Sequence, residues 1–167
     1  MKKYLVFLAL VFVAHLSVQA QHGLVGKPAS AFTLEDQFDK KITVKFPASL
    51  PTILLFSDRN TTSAKQADQW GSELVSEYGK DIRVVVIAVT GKGAKLVKNK
   101  VQNGFKNSDS ILFDWDNEVS RQYGFVENAC MVVYVNKAGT VEAVENGAYS
   151  DAKYNKLTEK LDEAEEN

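Results

Sequence analysis

The chain is poor in the residues most often used for nucleophilic and acid–base work. Its 167 residues include one cysteine, Cys130, and two histidines, His15 and His22. A lone cysteine cannot close a disulfide within the chain, so stability has to come from packing. His15 falls in an apolar leader and His22 just after it, which leaves the sequence from Gly23 onward without histidine. Ser-His-Asp and Cys-His arrangements, and the usual His/Cys zinc sites, are therefore excluded from the folded body. No cofactor or metal is implied. An excess of charge of one sign is also lacking: 20 basic side chains face 21 acidic ones. Taking away Lys2 and Lys3 moves the net charge only to about −3, which gives no electrostatic case for nucleic acid.

The leader has three parts. Met1-Lys2-Lys3 is basic, Tyr4 to about Ala14 is apolar, and Val18-Gln19-Ala20 sets small residues at a cleavage point. This pattern is that of a secretory signal peptide removed after Ala20. A membrane anchor is the rival reading, but Tyr4 to Val18 is shorter than the roughly 20 apolar residues a span needs, and it contains His15 and Ser17. The expectation is an exported protein, periplasmic or extracellular, with 21–167 forming one domain and no membrane insertion after cleavage.

Along that domain the periodicity alternates between strand and helix. Phe32 to Leu34 and Ile42 to Phe46, around the turn Gln37–Lys40, read as a hairpin. Ile53-Leu54-Leu55-Phe56 is a short apolar strand that runs into a polar loop, Ser57 to Thr62. A helix follows from about Ser63, with Ala67, Trp70, Leu74, Val75 and Tyr78 on one stripe, Ser63 or a neighbouring threonine as cap, and Gly79 at its end. Ile82 to Thr90 is nearly all β-branched, which predicts a strand buried on both faces and a parallel crossover. A weaker helix spans Ala94 to about Asn103 with Leu96, Val97 and Val101 inward, and Lys92, Lys95, Lys98, Lys100 and Lys106 read as a solvated face or as a site for an acidic partner. Ile111 to Asp114 is a strand, Asn117 to Tyr123 a short helix, and Met131–Val135 with Val141–Glu145 a second hairpin. Ser150 opens a last helix that carries Tyr154, Leu157 and Leu161.

Three stretches in this order resemble the thioredoxin-like superfamily, in its redoxin branch around alkyl hydroperoxide reductase, thiol-specific antioxidant proteins and exported thiol-disulfide oxidoreductases. Gly26-Lys27-Pro28-Ala29-Ser30-Ala31-Phe32-Thr33-Leu34 is similar to the branch's opening motif, with Ser30 in place of its usual proline. Residues 113–125, from Phe113-Asp114 to Tyr123-Gly124-Phe125, resemble its Asp…Tyr-Gly-Val stretch, and residues 134–141 its Leu-Ile-Asp-x-x-Gly-x-Ile hairpin. The resemblance implies an α/β fold: a mixed sheet of about five strands with an N-terminal hairpin and helices on both faces.

Two parts of the site that the resemblance implies are substituted. The dithiol would fall at Thr61 and Ala64, or at Asn60 and Ser63, and neither pair holds a cysteine. The residue at the position of the branch's cis-proline is Cys130, so the Ala129–Cys130 bond is expected to be trans. A threonine without a neighbouring base is a poor nucleophile. The first expectation is therefore a binding module whose former active-site groove, lined by Asn60, Thr61, Thr62, Ser63, Ala129, Cys130 and Met131, takes a peptide, protein or small ligand. The alternative is a one-thiol peroxidase or mixed-disulfide carrier in which Cys130 is catalytic; a buried, inert Cys130 is its counterpart. Asp58-Arg59 reads as a site pair, or as a surface ion pair or solvated turn. Trp70 reads as core, and Trp115 as core or as an aromatic open to a ligand.

Overall fold

A computed structural model describes residues 23–165; the expected leader, residues 1–20, lies outside the described residues. The elements in chain order are β1 (Phe32–Asp36), β2 (Lys41–Val44), β3 (Thr52–Asp58), α1 (Thr61–Tyr78), β4 (Arg83–Val89), a 3-10 turn (Lys92–Val97) leading into α2 (Lys98–Asn103), β5 (Ile111–Asp114), α3 (Glu118–Gln122), β6 (Met131–Val135), β7 (Val141–Asn146) and α4 (Asp151–Glu165). The strands form one mixed sheet in the order β2-β1-β5-β4-β3-β6-β7. β3, β4 and β5 are parallel, and every other pairing is antiparallel.

The class is as expected, but the sheet has seven strands rather than about five. The N-terminal hairpin does not stand apart: β1 pairs with β5, Glu35 opposite Phe113 and Asp36 opposite Leu112. Gln37, buried in the hairpin turn, locks that edge. Its amide donates to the Ser108 and Asp109 carbonyls and its oxygen accepts from the Ile111 N–H, each at 3.0 Å.

Alternation along β3 divides the core. Leu54 and Phe56 face one side with Phe32, Val119 and Tyr123; Ile53 and Leu55 face the other with Trp70 and Leu74 of α1 and Tyr154, Leu157 and Leu161 of α4. Trp70 is wholly buried and its Nε1 donates to the Gly147 carbonyl at 3.1 Å. Burying side chains of this size contributes about 1.5–3 kcal/mol each.

The motifs that carried the resemblance have structural work. Asp114 is buried and accepts from the N–H groups of Glu118 (3.1 Å) and Ser120 (2.7 Å), so it holds the start of α3. Tyr123 packs against Phe56 and donates its hydroxyl to the Ser30 carbonyl at 2.9 Å. Asn136 accepts from the Thr140 N–H at 2.9 Å and closes the β6–β7 turn. At Gly139, φ is +91° and a Cβ would come within 2.9 Å of Phe46 Cβ, so only glycine fits this turn.

The 92–105 region departs from expectation. Leu96 is 90% exposed and Val97 is exposed too, where a helical stripe had put both inward. The chain enters as a 3-10 turn, so the 100° spacing is not kept from Ala94 to Val101. Ala94 packs instead with Phe113 and Trp115, and Gln102 is buried, donating to the Asp36 carbonyl (3.1 Å) and to Asp39 (2.9 Å). β4 is consequently not buried on both faces: Val85, Ile87 and Val89 are buried, while Val84, Val86 and Ala88 are half-buried. Ala88 packs, with Val101 of α2 and Phe105, against the Ala94, Phe113 and Trp115 cluster, whereas Val84 and Val86 pack against the α1 side. Val75 of α1, expected on the buried stripe, is also exposed. No helix among the described residues is long and apolar enough to cross a membrane.

Candidate functional site

β3 ends at Asp58, in the middle of the sheet, and α1 begins three residues later at Thr61. The cap is Asn60, not Ser63 or a threonine: its side chain accepts from the Thr62 N–H at 2.8 Å. Ser63 sits inside the first turn, fully buried, with its oxygen accepting from the Asp58 N–H at 3.2 Å.

Across from this turn lies the 127–130 loop, and three hydrogen bonds tie the two together. Asn60 Nδ2 donates to Asn128 Oδ1 at 3.0 Å, the Asn128 N–H donates to Asp58 Oδ2 at 2.6 Å, and the Cys130 N–H donates to Gln66 Oε1 at 3.1 Å. Asn128 takes a left-handed φ of 71°, which suits an asparagine. The other oxygen of Asp58 accepts from the Asn60 N–H at 2.9 Å. Asp58 is thus a clasp between loops rather than half of an Asp58-Arg59 pair. The expected groove residues other than Met131 come to one place, but at different depths. Asn60, Thr61 and Thr62 are exposed, Ala129 is half-buried, and Ser63 and Cys130 are buried behind them, whereas Met131 turns to the opposite face of the sheet and packs with Phe56 and Tyr123, because side chains alternate along β6.

Cys130 has no exposed surface. Its Sγ donates to the Gly147 carbonyl at 3.2 Å, the same oxygen that accepts from Trp70, and the Gly147 N–H donates to the Cys130 carbonyl at 2.8 Å. Burial disfavours the thiolate and pushes the thiol up to about 11. The Ala129–Cys130 bond is trans; the one cis peptide among the described residues is Phe46–Pro47. No group of three or more His, Cys, Asp or Glu side chains is placed to hold a metal ion among the described residues.

Trp115 belongs to the core: it is 5% exposed and stacked on Phe113, ring centroids 5.0 Å apart. Gln66 and Gly147 had no sequence signal as site residues, and Asn128, in the 127–131 loop expected to line the groove, had no role assigned. Their roles depend on contacts 17 to 70 residues away along the chain.

The sequence matches no protein-family model and none of the curated proteins. Solved structures do match. The chain is similar to a protein assigned as the thiol:disulfide interchange protein DsbE of Chlorobium tepidum, with TM-score 0.63 and 17% identity over 84% of this chain and 96% of that one. It is also similar to the exposed lipoprotein thioredoxin Etrx1 of Streptococcus pneumoniae, with TM-score 0.60 and 17% identity over 80% and 99% of the two chains. The peroxidoxin BcpB of Mycobacterium tuberculosis gives TM-score 0.58 and 18% identity over 83% and 96%. The fold is thioredoxin-like, in agreement with the redoxin-branch resemblance.

Proposed function

We propose that this chain is an exported thioredoxin-fold module that carries out no thiol–disulfide exchange and binds a peptide, protein or small ligand at the exposed end of α1. The observation that carries the reading is the state of the substituted site. Of the two candidate dithiol pairs, Asn60 and Ser63 are engaged in capping, cross-loop and backbone hydrogen bonds, Thr61 and Ala64 carry no thiol, and the sole thiol is buried with its pKa raised to about 11. Exchange needs an accessible thiolate, and none is supplied. What remains outward is the Asn60-Thr61-Thr62 edge with Ala129 beside it, a surface of amide and hydroxyl groups. Export, to the periplasm or the extracellular space, and one domain over 21–167 rest on the leader pattern.

Two measurements on the mature chain test the reading. Insulin disulfides should not be reduced above the dithiothreitol blank. Backbone amide shifts should change at Asn60, Thr61, Thr62 and Ala129 when exported peptides or proteins are titrated in. Sustained insulin or peroxide turnover, lost in Cys130→Ser, would establish the one-thiol alternative instead.

A further inference from the structure

On the other flank of α1, away from the Asn128 loop, an apolar trough of about 500 Å³ runs over β4. Its floor is the half-buried row Val84, Val86 and Ala88. α1 turns its small residues to this side: Ala64, Ala67 and Gly71 line the trough, while Trp70 and Leu74 pack into the core beside α4. A Cβ at Gly71 would already stand 3.2 Å from Leu55 Cδ1, so α1 is set close against β3 along this wall. Phe105 and Val101 form the opposite wall. From Ala64 to Val75 the trough follows about 16 Å of helix.

The trough is polar at both ends, with Asp109 and Ser110 at one and Ser57 and Arg59 at the other, at the carboxyl end of β3; neither Ser57 nor Arg59 has a side-chain hydrogen bond or ion pair among the described residues. Arg59 is the one cation lining the trough. Of the three carboxylates along it, Asp58 is occupied by the Asn60 and Asn128 N–H groups, Asp68 is exposed on α1, and Asp109 is exposed at the far end. A free guanidinium and a free hydroxyl at the head of a long apolar floor match an anion with an extended apolar tail.

We propose that this trough binds a single-chain aliphatic carboxylate, with its head at Arg59 and Ser57 and its tail along Val86 and Ala88. This site is separate from the Asn60 surface and stands whether or not that surface binds a partner.

The test uses dodecanoate below its micelle concentration, titrated into the full mature chain by calorimetry and by tryptophan fluorescence, since Trp115 stacks on Phe113 of the trough lining. Saturation at one molecule per chain is expected. Arg59→Gln should weaken dodecanoate at least tenfold and leave dodecanol unchanged, and Ala88→Leu should weaken both at least tenfold by filling the floor. Circular-dichroism melts confirm that the variants are folded. Absence of saturable binding to the folded chain overturns the proposal. So does equal affinity for dodecylammonium, or indifference to both substitutions. A dimer in sedimentation that Val75→Asp dissolves would make the trough an interface between two copies, and likewise overturns it.

Discussion

Reaction of Cys130 with a chromogenic aromatic disulfide at pH 8 should be far slower than that of free cysteine. An ordinary thiol near 9.0 is about one-tenth thiolate at pH 8, whereas one pushed up to about 11 is roughly one-thousandth thiolate. That difference alone is about a hundredfold. The sulfur also has no exposed surface, so local opening must precede attack and slow it further. The same shift fixes a stability trend. Between about pH 9 and 11 the folded state holds a proton that the unfolded state has released, so stability falls as pH rises through that window and the full contribution is present below it. A rise from 9.0 to about 11 corresponds to about 3 kcal/mol. Tyr123, pushed up to about 12 by burial, acts in the same direction at higher pH, so the informative quantity is the difference between the native chain and Cys130→Ala. Urea titrations from pH 7 to 11 should give a flatter stability profile for the variant. Thr61→Cys provides the control: an exposed thiol at the first residue of α1, favoured as thiolate by the helix N-terminus, should react at pH 7 within the time the native chain stays inert. A native Cys130 that reacts as fast as free cysteine, or equal pH slopes for native and Cys130→Ala chains, would refute the reasoning.

Asn60→Ala should destabilise by about 1 kcal/mol for the cap, plus a smaller loss for its bond to Asn128, measured by urea unfolding; Asn60→Asp keeps the cap and should cost less. Trp70→Ala should cost about 3–5 kcal/mol in the same assay, because it empties a fully buried site and removes a donor from Gly147. Leu96→Asp should change stability by less than about 0.5 kcal/mol, since a side chain 90% exposed makes little packing contribution.

The elements that the sequence made legible are those whose period is enforced by one well-defined environment. β3, with its apolar run from Ile53 to Phe56, and α4, with Tyr154, Leu157 and Leu161 at helical spacing, are where the pattern put them. Gly79 ends α1 with φ +52°, as its position implied. The errors share a cause. Leu96 and Val97 read as inward because a single helix was assumed from Ala94, and a 3-10 turn breaks that phase. Val84 and Val86 read as buried because β-branched runs usually are, yet covering them depends on a connection whose length and path no local pattern specifies. The hairpin's membership of the main sheet rests on Gln37 reaching residues 108–111. The candidate site was legible as a place and not as a mechanism. Its residues could be counted to the right turn, but Asn128, Gln66 and Asp58 acquire their roles only when segments about 64 to 70 residues apart meet.

Those cross-loop bonds bear on whether two cysteines placed at the start of α1 would give the chain thiol–disulfide exchange. In this chain Asn60 is at once the cap of α1 and a donor to Asn128, and Ser63 is buried as the acceptor for the Asp58 N–H. Replacing both by cysteine removes the cap, the contact to the opposite loop and the partner of a backbone N–H in one step. Each loss is of order 1 kcal/mol. Thr61 and Ala64 make no such side-chain bonds, so that pair is the less costly graft, although Ala64 lines the apolar trough. Either graft would still face a loop whose Cys130 N–H is held by Gln66 rather than left open to an extended substrate. The Thr61→Cys/Ala64→Cys chain should therefore fold and form its disulfide, yet reduce insulin poorly until Gln66→Ala frees the Cys130 N–H. Full activity from the two cysteines alone would show that the loop clasp is no obstacle.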